Sequence, residues 1–148
     1  MERDLTIINF KELVILVETI TEIKVKDEDI DELEHVNNSV YVTYLEIARG
    51  DWYSCAGIPF DTMRIRAVST VVLKLEVLYR KEAKLGDLLK VKTVPTRLGN
   101  TSFVFQQDIF NQFGEKIVEA TVTNVMIDRR SKKSRRVVEE IALNFSQD

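Results

Sequence analysis

Alternation of outward and inward positions first becomes regular at Thr19. Thr19, Thr21, Ile23 and Val25 fall on one side of an extended chain and Ile20, Glu22 and Lys24 on the other, which predicts a strand over 19–25. After Asn37, Asn38 and Ser39 the period lengthens. Val40, Tyr41, Tyr44, Leu45, Ala48, Trp52 and Ala56 recur at helical spacing, with Asn and Ser as natural N-caps and Gly57 and Pro59 as the stop. The spacing predicts a helix over 39–56, and its wide aromatic stripe predicts packing against a sheet. From Ser69 the period returns to two, predicting strands over 69–79, 88–94, 102–110 and 117–128, with Asn111 to Gly114 as a hairpin turn. A short helix is expected over 137–144. Strand, long helix, then a four-stranded meander with short antiparallel connections makes an α+β fold.

Residues 1–20 mix helical and strand periods and read as an N-terminal extension of uncertain structure, ahead of a single domain over 21–148. Two prolines and five glycines in 148 residues leave no linker, repeat or low-complexity tract, so one domain is the simplest organisation. The longest early apolar run, Leu13 to Val17, is too short for a signal peptide or a membrane-spanning helix, so a cytoplasmic location is expected. One cysteine, Cys55, excludes an internal disulfide, and one histidine, His35, excludes a His-rich metal centre; no metal and no cofactor is expected. Twenty-one Lys and Arg against 24 Asp and Glu give a net charge of −3, without the basic excess of a nucleic-acid binder.

That balance hides two opposed blocks. Residues 27–34 hold six carboxylates in eight positions, and residues 129–136 hold six cations in eight. The spacing of Asp27, Asp29 and Asp31 is that of an opening EF-hand loop. The sixth and twelfth positions, however, are Glu32 and Asn38 rather than Gly and Glu, so calcium is not expected. By composition alone these carboxylates are a solvated loop.

Order and spacing say more than composition. Asp29, Asp31, His35, Val36, Asn37, Asn38 and Tyr41 stand immediately before and at the start of the aromatic helix. They resemble the Asp-x-Asp-x-x-Gly-His-Val-Asn-Asn-x-x-Tyr segment of hot-dog-fold acyl-thioester hydrolases, the 4-hydroxybenzoyl-CoA thioesterase-like family. The resemblance continues through Tyr44, Leu45, Glu46, Ala48 and Arg49, then Tyr79, Ala83, Gly86 and Asp87, then Gly99, Ser102 and Phe105, and Asn111, Gly114 and Glu115. It covers about residues 23–128 in order.

The resemblance implies a hot-dog fold, a long antiparallel sheet wrapped around a central helix, working as a homodimer or homotetramer. It implies an acyl-CoA thioesterase in which Asp31 acts as nucleophile or general base. The backbone N–H of Asn38, at the helix start, would polarise the thioester carbonyl, in keeping with the unpaired donors and dipole of a helix N-terminus. His35, Asn37 and Tyr41 become candidate substrate contacts, His35 equally a loop-bonding histidine. Trp52 reads as core, and so does Cys55. Arg80 and Lys81, with Arg129 and Arg130 of the basic block, are candidate CoA phosphate ligands, although a solvated turn or a seat for acidic acyl carrier protein explains the block as well.

Two positions depart from the pattern. Glu34 stands where the family has Gly, which relieves a tight turn or lets substrate approach the backbone. Leu33 replaces the Asn found in the similar plant acyl-carrier-protein thioesterases, removing an Asn-assisted variant of the chemistry. An acyl-ACP thioesterase and a non-catalytic acyl-thioester-binding hot-dog protein are the alternative functions.

Overall fold

The structure, a computed structural model, describes residues 4–7 and 15–146. Six strands form one antiparallel sheet: β1 (Asp4–Ile7), β2 (Ile15–Lys24), β3 (Val68–Tyr79), β4 (Leu88–Leu98), β5 (Ser102–Phe110) and β6 (Lys116–Asp128), in the order β1-β2-β4-β5-β6-β3. The helix α1 (Val40–Cys55) lies across its inner face; α2 (Phe60–Ile65) and α3 (Glu139–Ala142) are short. This is the expected α+β hot-dog architecture.

Several boundaries differ from the sequence expectation. β2 begins at Ile15, so the sheet starts before the expected domain boundary at residue 20; residues 1–3 and 8–14 of the expected extension lie outside the described residues. The strand β1 and the helix α2 were not expected, and α3 is shorter than 137–144. The four-stranded meander is corrected: β4, β5 and β6 are consecutive neighbours, but β3 pairs with β6 and β4 pairs with β2. The segment 80–87 between β3 and β4 must therefore cross roughly 14 Å of sheet, a span that eight extended residues cover easily. That crossing carries it past the N-terminal end of α1.

The helix binds the sheet through an apolar stripe interrupted by one charge. Tyr41, Tyr44, Leu45, Ala48 and Trp52 are buried at helical spacing. One apolar cluster surrounds Trp52, whose ring centroid lies 4.7 Å from that of Phe105 in a tilted arrangement and whose indole N–H donates to the Val17 carbonyl at 2.7 Å. A second surrounds Leu45 and Ala48 with Leu89, Val91 and Ile109.

Between the two clusters lies a buried polar row. Thr19, Thr93 and Gln107 are direct cross-strand neighbours on β2, β4 and β5. Arg49, only 7 % exposed, donates to Gln107 Oε1 at 3.0 Å; Gln107 Nε2 in turn donates to the Leu45 carbonyl and to Thr93 Oγ1. A buried guanidinium without such a partner carries the full desolvation penalty, so one glutamine ties helix, β4 and β5 together.

The acidic block forms a compact loop. A 3-10 turn at Asp27–Asp29 leads to an antiparallel bridge between Ile30 and Val36, and residues 31–35 close on themselves. Closure places Glu34 at φ 62°, the left-handed region that favours glycine. Glu34 therefore adopts, with an exposed side chain, a backbone conformation that the glycine expected at this position would take without strain.

Gln107→Leu is expected to lower unfolding free energy by about 2–3 kcal/mol, measured by urea titration, because it strands Arg49. Glu34→Val is expected to cost about 1–2 kcal/mol, whereas Glu34→Gly leaves stability within about 1 kcal/mol, since relief of strain offsets glycine's entropy loss.

Candidate active site

The start of α1, the closed loop 31–35 and the crossing segment 80–87 meet at one cavity of about 520 Å³. The loop is held from within and from across the sheet. Asp31 N–H donates to the His35 carbonyl at 2.9 Å, and Glu34 N–H to the Asp31 carbonyl at 3.0 Å. Val36 N–H then donates to the Ala83 carbonyl at 2.9 Å, while Ala83 N–H donates to Tyr41 Oη at the same distance. Tyr41 is buried, which raises its phenol pKa, so its hydroxyl stays neutral and serves as that acceptor.

Seven of the nine site residues expected from the sequence line this cavity: Asp31, His35, Asn37, Asn38, Tyr41, Arg80 and Lys81. Asp31 is exposed. Its Oδ1 accepts the Leu33 N–H at 2.9 Å and the His35 N–H at 3.3 Å, and its Oδ2 accepts no hydrogen bond among the described residues. Asn37 acts as a turn residue, one of the two roles expected of it, while the N-cap of α1 is Ser39. Its Oδ1 accepts both the N–H and the hydroxyl of Ser39, and its carbonyl accepts the Val40 N–H. The Asn38 N–H, on the same peptide plane as that occupied carbonyl, has no acceptor among the described residues. A carboxylate oxygen and a backbone N–H thus remain unengaged on one cavity.

Arg129 and Arg130 are not brought to it. They lie in the turn after β6, where Arg129 N–H donates to the Ala67 carbonyl at the start of β3. The cavity sits at the other end of that 12-residue strand, roughly 35–40 Å away along it. Arg80 and Lys81 line the cavity but are already paired, Arg80 with Glu119 at 3.2 Å and Lys81 with Glu115. These partners hold both glutamates below the usual carboxylate range.

Beside the apolar Leu33 and Val36, two polar lining residues were not anticipated as site residues. Glu82 Oε2 lies 2.7 Å from His35 Nδ1, which orients the imidazole and leaves Nε2 as its second hydrogen-bonding atom. Tyr79, half-exposed at the end of β3, donates its hydroxyl to the Asn38 carbonyl at 3.0 Å. Both belong to the Tyr79–Asp87 stretch already noted by its spacing, but only the path of that stretch past α1 gives them a place at the site.

The basic turn is built as firmly as the cavity. Asp128 Oδ1 accepts the N–H groups of Arg130 and Ser131, and the Ser131 contact above all holds its carboxyl below the usual range. Lys132 sits at φ 63°. Among the described residues, none of the six cations at 129–136 forms an ion pair, whereas Arg64, Arg66, Lys74, Arg80, Lys81, Lys92 and Lys116 each do.

The profile of the thioesterase-like superfamily matches residues 25–145. Long-chain acyl-CoA thioesterase FadM of Escherichia coli is 30% identical over 128 residues, covering 86% of this chain and 96% of its own. Acyl-CoA thioester hydrolase YbgC of Escherichia coli is 31% identical over 125 residues, covering 84% and 93%. Among solved structures, a DHNA-CoA thioesterase from Staphylococcus aureus superposes with a TM-score of 0.76 at 27% identity, over 80% of each chain. The matched span runs from the end of β2 through α3 and takes in the cavity, and on that ground the chain belongs to the thioesterase-like superfamily.

Proposed function

We propose that the protein hydrolyses an acyl-CoA thioester to the free acid and CoA, with Asp31 as the reactive carboxylate and the Asn38 N–H as carbonyl donor. The observation that carries this reading is the pair of unengaged groups, Asp31 Oδ2 and the Asn38 N–H, on one cavity. The names of the relatives supply the substrate class. Asp31 attacks the thioester carbon to give a mixed anhydride that water opens, or takes the proton of an attacking water. In both routes the C–S bond breaks and the electron pair leaves on the CoA sulfur. A donor aimed at the developing oxyanion lowers such a barrier by roughly 3–4 kcal/mol.

The reading extends to a dimer. β3 is an edge strand with Val71, Val72, Leu73 and Leu78 exposed, and a bare apolar edge of this length favours pairing with another strand. Antiparallel pairing of two β3 strands about a two-fold axis would set the start of one against the end of the other. Arg129 and Arg130 of the partner subunit would then approach this protomer's cavity, where unpaired guanidinium groups suit the phosphates of CoA.

Release of free thiol from short, long and aromatic acyl-CoAs tests the activity. The wild-type protein is expected to turn over at least one of them, and Asp31→Asn to lose on the order of 100-fold or more in kcat with the fold retained; unchanged turnover in that variant overturns the role of Asp31. Replacing Arg129 and Arg130 together by Ala is expected to raise KM for acyl-CoA by up to about tenfold while sparing a truncated thioester that lacks the nucleotide phosphates. An equal effect on both substrates would remove these arginines from phosphate binding.

A further inference from the structure

The Asn38 N–H is useful to a reaction only if its peptide is held still. The Asn37–Asn38 and Asn38–Ser39 peptide planes lead into α1, and each of their other polar groups is occupied. The Asn37 N–H donates to the Asp29 carbonyl at 3.0 Å. The Asn37 carbonyl accepts the Val40 N–H at 2.9 Å, which turns the Asn38 N–H on the same plane away from the helix. On the next plane the Ser39 N–H donates to Asn37 Oδ1, and the Asn38 carbonyl accepts the Tyr79 hydroxyl at 3.0 Å. The first three of these groups are bonded within residues 29–40. The Tyr79 contact, spanning 41 residues, is the one that ties the turn to the sheet.

Tyr79 itself is well anchored. It ends β3 opposite Val118 of β6, and its ring lies 5.6 Å from that of Tyr41. Tyr41 is buried and bonded to Ala83. The phenol is therefore a strut between a rigid strand end and the peptide that follows the Asn38 Cα. The planes before and after that Cα hinge on it, so anchoring the second restricts the swing of the first.

We propose that Tyr79 is a positioning residue for the hydrolytic reaction, its hydroxyl holding the Asn38–Ser39 peptide so that the Asn38 N–H stays aimed into the cavity. This rests on the reading in which that N–H receives the thioester carbonyl. Tyr79 touches no reacting atom in this role and acts through Asn38. Such a residue affects the step in which charge develops on the carbonyl oxygen more than the binding of the ground state.

Tyr79→Phe removes the hydroxyl and keeps the ring. With an acyl-CoA that the wild type hydrolyses, kcat is expected to fall about tenfold, as for a small misplacement of a catalytic group, with KM within about twofold. Backbone amide resonances of Asn38 and Ser39 are expected to shift and broaden, while the thermal unfolding midpoint stays close to that of the wild type. A kcat equal to the wild type, a loss confined to KM, or unchanged amide resonances each overturn the inference. Asp31→Asn measured in parallel separates the two readings. An inactive Asp31→Asn beside a fully active Tyr79→Phe defeats the positioning role alone, whereas absence of thiol release by the wild type defeats the thioesterase reading itself. Should Tyr79→Phe fail to fold, Tyr79→His, whose ring nitrogen can donate, is expected to retain more kcat than Tyr79→Leu; equal rates in the two overturn the inference.

Discussion

A helix laid against the inner face of a sheet must bury its whole stripe, and in α1 that stripe contains Arg49. A guanidinium cannot be left dry and unbonded, so the sheet has to present an acceptor at one height along the helix. Gln107 is that acceptor, and it also donates to Leu45 of the helix and Thr93 of β4. The requirement sets the axial position of α1. It also divides the core, with Trp52 and its aromatic neighbours on one side and Leu45, Ala48 and their aliphatic neighbours on the other. An apolar interface alone would tolerate sliding by a fraction of a turn; a buried guanidinium bonded to one acceptor on the sheet does not.

Fixing the helix fixes its first turn, and the site follows from that. Segment 80–87 must pass the helix start on its way from β3 to β4 because those strands lie at different places in the sheet. It therefore delivers Ala83 to Tyr41, Glu82 to His35 and Ala83's carbonyl to Val36. The acidic loop is held by its own backbone, by Asp31 and by the crossing segment, and none of these bonds uses the side chain at residue 34. A left-handed Glu34 is a local strain that the surrounding bonds over-determine.

The charge distribution reads differently in three dimensions. The cations that line the cavity are neutralised by glutamates of β6 and the turn before it, whereas the cations of the 129–136 turn have no such partners among the described residues. The 129–136 turn thus gathers six cations without an ion pair at the end of the sheet opposite the cavity, on a chain whose net charge is −3, although Lys24, Lys26, Lys84, Lys90 and Arg97 form none either among the described residues. A field of that shape attracts anions to a defined place rather than uniformly.

The sequence by itself determined the local elements. Helical spacing from Val40 to Ala56 and alternation along β3 to β6 are properties of neighbouring residues, and the observed elements match them to within a few positions, apart from the four extra residues of β4. It also carried the ordered motif through Asp31, His35, Asn37, Asn38 and Tyr41, which the structure gathers at one cavity. Only the tertiary structure decided which strands are neighbours. A period of two says which face a residue occupies and nothing about the strand beside it, so the pairing of β3 with β6 was not readable. Nor was α2, whose six residues are too few to show a period, or β1, whose four are fewer still. The same reason explains Tyr79, Glu82 and the separation of Arg129 and Arg130 from the cavity. Each depends on contacts between residues far apart in the chain, and these are set by how the strands stack around α1.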